Sequence, residues 1–300
     1  TEQIRHAERH GFDSAWIAQH HFHEHEGGLP SPLLFLAHAA AHTQTIRLGT
    51  AIITLPLENP LRVAEDAAVL SRADVIFYNG LKLEGRMADL FARLGRSGRK
   101  VYAVTESVPE DRLLQPAEFE GHYDPHLWFD VGLWAETVPT VVRGLSATDP
   151  EGRETYEKNG AILREKLAAL DAWCRETAAQ LPESRRILVT SHDAYNYFGR
   201  AYGFKVVGLQ GISTVSEAAL ADVASLVDFL KEQKVKAIFV ESSVNPAAIR
   251  RVAEDAGVKV GGELFSDAMG KPGEMRDGFD TGTYDGMVRH NLTTIVNALK

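Results

Sequence analysis

The sequence predicts an α/β protein with two lobes built on parallel sheets and joined by one long helix. Three observations carry this. Short β-branched runs alternate with helical patterns along the chain, as parallel βα units do. Four such runs precede residue 106 and four follow residue 185. Between the two sets lies an uninterrupted helical pattern over roughly 154–181, long enough to bridge two lobes.

Taken in order, a polar amphipathic stretch from Thr1 to Gly11 predicts a helix with Ile4 and Ala7 inward. The first strands are expected at SAWIAQ (14–19), IRLGTAIIT (46–54), DVIFYN (74–79) and KVYAVT (100–105). The helical stretches between them are SPLLFLAHAAAHT, NPLRVAEDAAVLSR and LEGRMADLFARLG, with Pro32 and Pro60 where a first turn tolerates proline. In the long helix Tyr156, Leu163, Leu167, Leu170, Cys174 and Leu181 recur at spacings of three, four and seven and mark its apolar stripe. Strands then resume at RILVTS (186–191), KVVGLQ (205–210), AIFVES (237–242) and VKVGGEL (258–264), before a last helix near 284–299. The expected organisation is a first lobe over 1–150, a linking helix over 151–182 and a second lobe over 183–300.

Composition narrows the function. A chain of 300 residues, 44% hydrophobic, can bury one large core or two smaller ones. The formal net charge of −9, with no basic run longer than residues 96–100, argues against a nucleic-acid surface. Apolar runs such as 33–41 are too short to span a bilayer. No secretory signal opens the sequence, which leads to the expectation of recombinant expression in a cytoplasm. The single cysteine, Cys174, excludes an intramolecular disulfide and a thiolate cluster, and its helical spacing reads as a buried core thiol.

In parallel sheets, ligands bind beyond the carboxyl ends of the strands. His192 directly follows RILVTS, and Asp267 follows the last strand in GGELFSDAMG. His126 lies in YDPHLWFD, ahead of the long helix. Two imidazoles and a carboxylate suit a divalent ion such as zinc or manganese. Each of the three, taken alone, could equally be a helix cap or a polar loop residue.

From about Ser71 to Lys300 the segments ADVIFYNGLKLEG, DPHLWFD, TSHDAYNYF, VVGLQGIS, KAIFVESSVNP, GGELFSDAMG and TYDGMVRHN occur in order. Together they resemble the TroA-like zinc/manganese solute-binding proteins of ABC importers. That resemblance implies two Rossmann-like lobes with four-stranded parallel sheets, joined by a long backbone helix. It also implies metal-ligand roles for His126, His192 and Asp267, and a monomeric receptor rather than an enzyme. Its partner would be Zn2+ or Mn2+; the parent family's receptors, periplasmic or extracytoplasmic, also serve an ABC permease, which is not expected for this chain. The family's fourth ligand is a histidine in a DPHxYxPxP-like loop, which this sequence lacks. Its corresponding loop is LPLENPLRVAED, so Glu58 is the expected substitute and weakened metal binding the expected consequence.

Residues 1–70 are similar to a different family. GFDSAWIAQHHF, followed by LPSPLLFLAHAAAHTQTIRLGTAIITLPLENPLRVAEDAAVL, resembles two βα units of the bacterial-luciferase-like flavin monooxygenases, which are TIM barrels. Two units cannot enclose a flavin, because that site is assembled from the loops of many strands; no flavin is expected. The chain therefore reads as a chimera, made by engineering, with its junction near Val69 to Ala73. Alanines 37, 39, 40, 41, 64, 67 and 68 beside that junction would tolerate a foreign partner with little overpacking. This also gives an origin for AQHHFHEHEG (18–27), where His20, His21, His23 and His25 crowd one loop. Whether that loop donates to the metal, binds ions loosely or has no role is left open by the sequence.

Overall fold

A computed structural model describes residues 2–18, 39, 43–52, 73–85, 87–119, 121–212 and 220–300. The chain divides into two compact units, one of Thr1–Ile76 with Arg86–Val101 and one of Phe77–Gly85 with Tyr102–Lys300. This division differs from the expected boundary at residue 150: residues 102–150 belong with the long helix and everything after it. The loop His20–His25, Glu58 and the expected junction near Val69 to Ala73 fall outside the described residues, apart from Ala73 itself.

The first unit opens with α1 (Glu2–Arg9), which carries Glu2 in its first turn and His6 and Arg9 in its last, matching the helix dipole. Gly11, at φ +76°, ends it in the left-handed conformation, and the Phe12 N–H returns to the Ala7 carbonyl. Ile4 is buried with Ala39 and Ile46, against the partly buried Ala7, Ala15 and Leu48, so α1 faces inward as expected. Strand β1 (Ser14–Ala18) pairs in parallel with β2 (Arg47–Ile52), with an irregularity between Ile17 and Ala18. Helix α2 (Met87–Arg96) belongs to the same unit. Strand β3 (Ile76–Tyr78) pairs with β4 (Val101–Ala103).

In the second unit, α3 (Val131–Trp134) and α4 (Val138–Thr148) lead into α5 (Arg153–Ala178). At 26 residues, α5 is about 39 Å long. The expected stripe holds only over its C-terminal half: Leu167, Leu170 and Cys174 are buried, whereas Leu163 is 46% exposed. In the N-terminal half the buried position is Gly160, beside Val138 and Val142 of α4, and Leu163 lies off that contact. Leu181 is buried, but it lies past the helix end. Burial pushes the Cys174 thiol up to about 12, as befits a core thiol rather than a nucleophile.

Four strands follow: β5 (Ile187–His192), β6 (Lys205–Gln210), β7 (Ala237–Glu241) and β8 (Lys259–Leu264). They alternate with α6 (Asn196–Tyr202), α7 (Leu220–Glu232) and α8 (Ala247–Ala256). Backbone hydrogen bonds join β5 to β6 and β7 to β8 as parallel pairs, and β5 lies beside β7, which sets the four strands side by side. Where β5 and β7 meet, the His192 N–H is taken by the Glu241 side chain instead of a strand carbonyl. The central strands β5 and β7 are buried on both faces. Leu188, Ala237, Phe239 and Leu264 pack with α5 and the final helix α9 (Tyr284–Leu299), while Val189, Ile238 and Val240 pack with α7 and α8. A short hairpin not anticipated from the sequence, β9 (Met275–Arg276) and β10 (Phe279–Asp280), turns through Asp277 and Gly278, both at positive φ.

Candidate metal centre

His192 is the last residue of β5, and its carbonyl accepts from the Thr190 hydroxyl at 2.9 Å. One carboxylate, Glu241 at the end of β7, holds it twice. Glu241 Oε1 accepts the His192 N–H at 2.8 Å, and Glu241 Oε2 stands 2.6 Å from His192 Nδ1, in contact though not in line for a hydrogen bond. Both side chains are fully buried.

His126 is also held twice by one carboxylate, here through a single oxygen of a closer neighbour in sequence. Asp124, fully buried, accepts from the His126 N–H at 2.9 Å and meets His126 Nδ1 at 2.8 Å. Asp124 is in turn fixed by Asn196 at the start of α6, whose Nδ2 donates to its second oxygen, and by the Tyr197 hydroxyl, which donates to its carbonyl.

Asp267 follows β8 after Phe265 and Ser266. That loop is anchored by Asn291 of α9, which accepts from the Phe265 N–H at 2.9 Å and donates to its carbonyl at 2.7 Å. The Trp128 indole donates to the Ser266 carbonyl, so the loops of His126 and Asp267 are tied together. Ser243 lies 3.3 Å from Asp267 Oδ2.

The result is a convergence. His126 Nε2 lies 3.6 Å from Asp267 Oδ1 and His192 Nε2 lies 3.5 Å from Asp267 Oδ2. A ligand atom from each of the three residues falls within 4.8 Å of the others. His192 Nε2 is buried without a hydrogen-bond partner among the described residues. An orphaned buried polar atom is costly unless something docks on it, and a cation does so for an imidazole lone pair. Burial works against a charged His192 ring, but Glu241, Asp267 and Asp193 together outweigh it and raise its pKa. The site is thus acidic around two imidazoles, electrostatically prepared for a positive guest.

All three candidate ligands, His192 and Asp267 after strands and His126 ahead of the long helix, come together, and all lie in the second compact unit. Sequence reading missed Asp124 and Glu241. Their only signals are a carboxylate two residues before His126 and an acidic residue closing the apolar run AIFVE.

These features define a candidate divalent-metal site, and comparison with known proteins gives the family. The sequence profile described as "Zinc-uptake complex component A periplasmic" matches residues 63–298, and the chain belongs to that family of solute receptors, which are not enzymes. The manganese-binding lipoprotein MntA of Bacillus subtilis is 45% identical over 240 residues, 78% of this chain and 76% of that protein. The zinc-binding protein TroA of Treponema pallidum is 46% identical over 241 residues, 79% of this chain and 76% of that protein. The solved structure of periplasmic zinc-binding TroA from Treponema pallidum superposes with a TM-score of 0.77 at 37% identity, covering 96% of this chain and 99% of that one. The α/β fold class expected from the sequence therefore stands. A separate, shorter and weak match to the luciferase-like monooxygenase profile covers residues 1–73.

Proposed function

We propose that this protein captures a divalent zinc or manganese ion at His126, His192 and Asp267. The observation that carries this reading is the convergence of three ligand atoms within 4.8 Å, one of them the orphaned His192 Nε2. Relatives that bind zinc or manganese support the choice of ion. In this reading the protein is a monomeric receptor on a scaffold whose parent family works outside the cytoplasm with an ABC permease. No described helix is long and apolar enough to cross a membrane. Three protein ligands leave an open position on the ion. Glu58, outside the described residues, is the sequence's candidate for it in place of the family histidine, with weaker affinity as the consequence. The chemistry is capture: neutral imidazoles and one carboxylate replace water around the ion, and protons are released as it binds.

We also read residues 1–70 as a luciferase-like segment joined to the receptor by engineering. The two profile matches meet over residues 63–73, around the expected junction, which supports that reading. Two βα units would substitute for two others because both parent folds are assembled from the same kind of unit.

The test is calorimetric titration with zinc and with manganese of the unaltered chain and of His192→Ala. The unaltered chain is expected to bind one ion per chain, and the variant to lose at least 100-fold in affinity. Equal stoichiometry and affinity in both would overturn the site and move any bound metal elsewhere, with the His20–His25 loop first in line.

A further inference from the structure

We propose that Glu241, with Asp124 as its local counterpart, is a positioning residue that sets the ring tautomer of a ligand histidine so that the Nε2 lone pair faces the captured ion. This rests on the capture reading above and deepens it. Each carboxylate grips its histidine at two points, the main-chain N–H and ring Nδ1. A carboxylate offers only acceptors. An Nδ1 lone pair 2.6 Å from Glu241 Oε2 would be repelled, so Nδ1 carries the proton and the lone pair of the neutral ring is left on Nε2. The main-chain contact adds orientation, because it fixes where the His192 Cα stands relative to β7.

The two grips differ in origin. Asp124 and His126 are two residues apart on one loop, whereas Glu241 and His192 are 49 residues apart and meet only because β5 lies beside β7. Correct orientation of His192 is therefore a product of tertiary packing, and Glu241 transmits it.

Glu241→Gln isolates the effect. Its carbonyl oxygen can still accept the His192 N–H, but its amide now presents a donor to Nδ1. The favoured tautomer then places the proton on Nε2, pointing at the ion's position. In metal-free protein, at a pH where the ring is neutral, nitrogen–proton correlation spectra of the imidazoles should show His192 protonated on Nδ1 in the unaltered chain and largely on Nε2 in the variant. Zinc affinity by calorimetry should fall by about 10–100-fold. An unchanged tautomer in Glu241→Gln, or a switched tautomer with unchanged affinity, overturns the proposal. Should that variant fail to fold, Asp124→Ala carries the same two readouts on His126, because loss of the acceptor at Nδ1 frees the ring to take the Nε2-protonated form, and the same outcomes decide. If the unaltered chain takes up no zinc while the tautomer still switches, the capture reading fails and the positioning role of Glu241 stands. If zinc binds but the tautomer does not respond, only the positioning role fails.

Discussion

The two compact units hold themselves together by different means. The second has two apolar clusters on opposite faces of its strands, crossed by a 26-residue helix, and its polar loops are tied by buried bonds such as those of Asn291 to Phe265. The described part of the first has one small cluster around Ile4, Ala39 and Ile46. There the hydrogen bonding converges on one exposed carboxylate: Glu8 Oε1 accepts from the N–H groups of Gln44, Thr45 and Ile46, at 2.7, 2.6 and 3.0 Å. The three converging residues of the metal centre all lie in the second unit. The lesson is that a ligand set needing fixed geometry is found where orientation is imposed by packing, while the described part of the first unit contributes none of the three converging residues.

That contrast can be broken most directly through the cores. Leu170 is 1% exposed and sits in the larger cluster of the second unit. Leu170→Ala should cost about 3–5 kcal/mol, the transfer of the side chain plus the cavity left behind. Ile4→Ala, in a cluster able to collapse around the loss, should cost about 2 kcal/mol. In urea unfolding followed by far-UV circular dichroism, two transitions are expected, with Ile4→Ala moving only the first and Leu170→Ala moving the second. A single transition shifted equally by both would show that the units unfold as one and that the contrast has no energetic content.

The next effect belongs to the metal centre and sharpens the comparison through pH. Burial opposes the His192 cation, but Glu241, Asp267 and Asp193 raise the pKa above the ordinary 6.5. For the metal-free protein the sign follows. This stabilisation is fully present below the unfolded value and is lost as pH rises through the higher folded one. For metal capture the sign is opposite, since the ion must displace the proton. Zinc affinity should fall about tenfold per pH unit below the folded His192 value, and the fall should begin above pH 6.5. Calorimetry at a series of pH values measures it. A plateau extending down to pH 6 would mean that His192 is not displaced by the ion.

How much of this was legible in the sequence follows the same division between local and tertiary causes. The strands are readable because β-branched runs bounded by polar residues report a local preference, and every expected strand overlaps an observed one. His192 and Asp267 are readable because position after a strand is a property of sequence order. Glu241 is not, because nothing within AIFVES says that this carboxylate meets a histidine 49 residues away. Leu163 was misread for a related reason: helical spacing gives a stripe, but only the packing partner decides where burial stops. The β9–β10 hairpin, by contrast, had a local signal in Asp277–Gly278, the pair suited to a turn with two positive φ angles, and it was overlooked.

The smallest expected effect concerns Glu8, and it addresses the first unit alone. Hydrogen bonds from Thr45 and Ile46 hold its pKa down at about 2, with Gln44 adding to them. A carboxylate whose folded pKa is depressed stabilises above its unfolded value, about 4.3, and that contribution drains away as pH falls towards 2. Because the side chain is exposed, solvent screens the interaction and the effect should be modest. Glu8→Gln keeps an acceptor for the same amides but carries no charge to titrate. The first urea transition of the unaltered chain should therefore move to lower urea between pH 4.5 and pH 2.5 by more than that of Glu8→Gln, with the second transition responding identically in both proteins. If the two proteins lose stability in parallel over that range, the Glu8 carboxylate does not fasten α1 to the segment before β2, and the small apolar cluster holds the first unit without it.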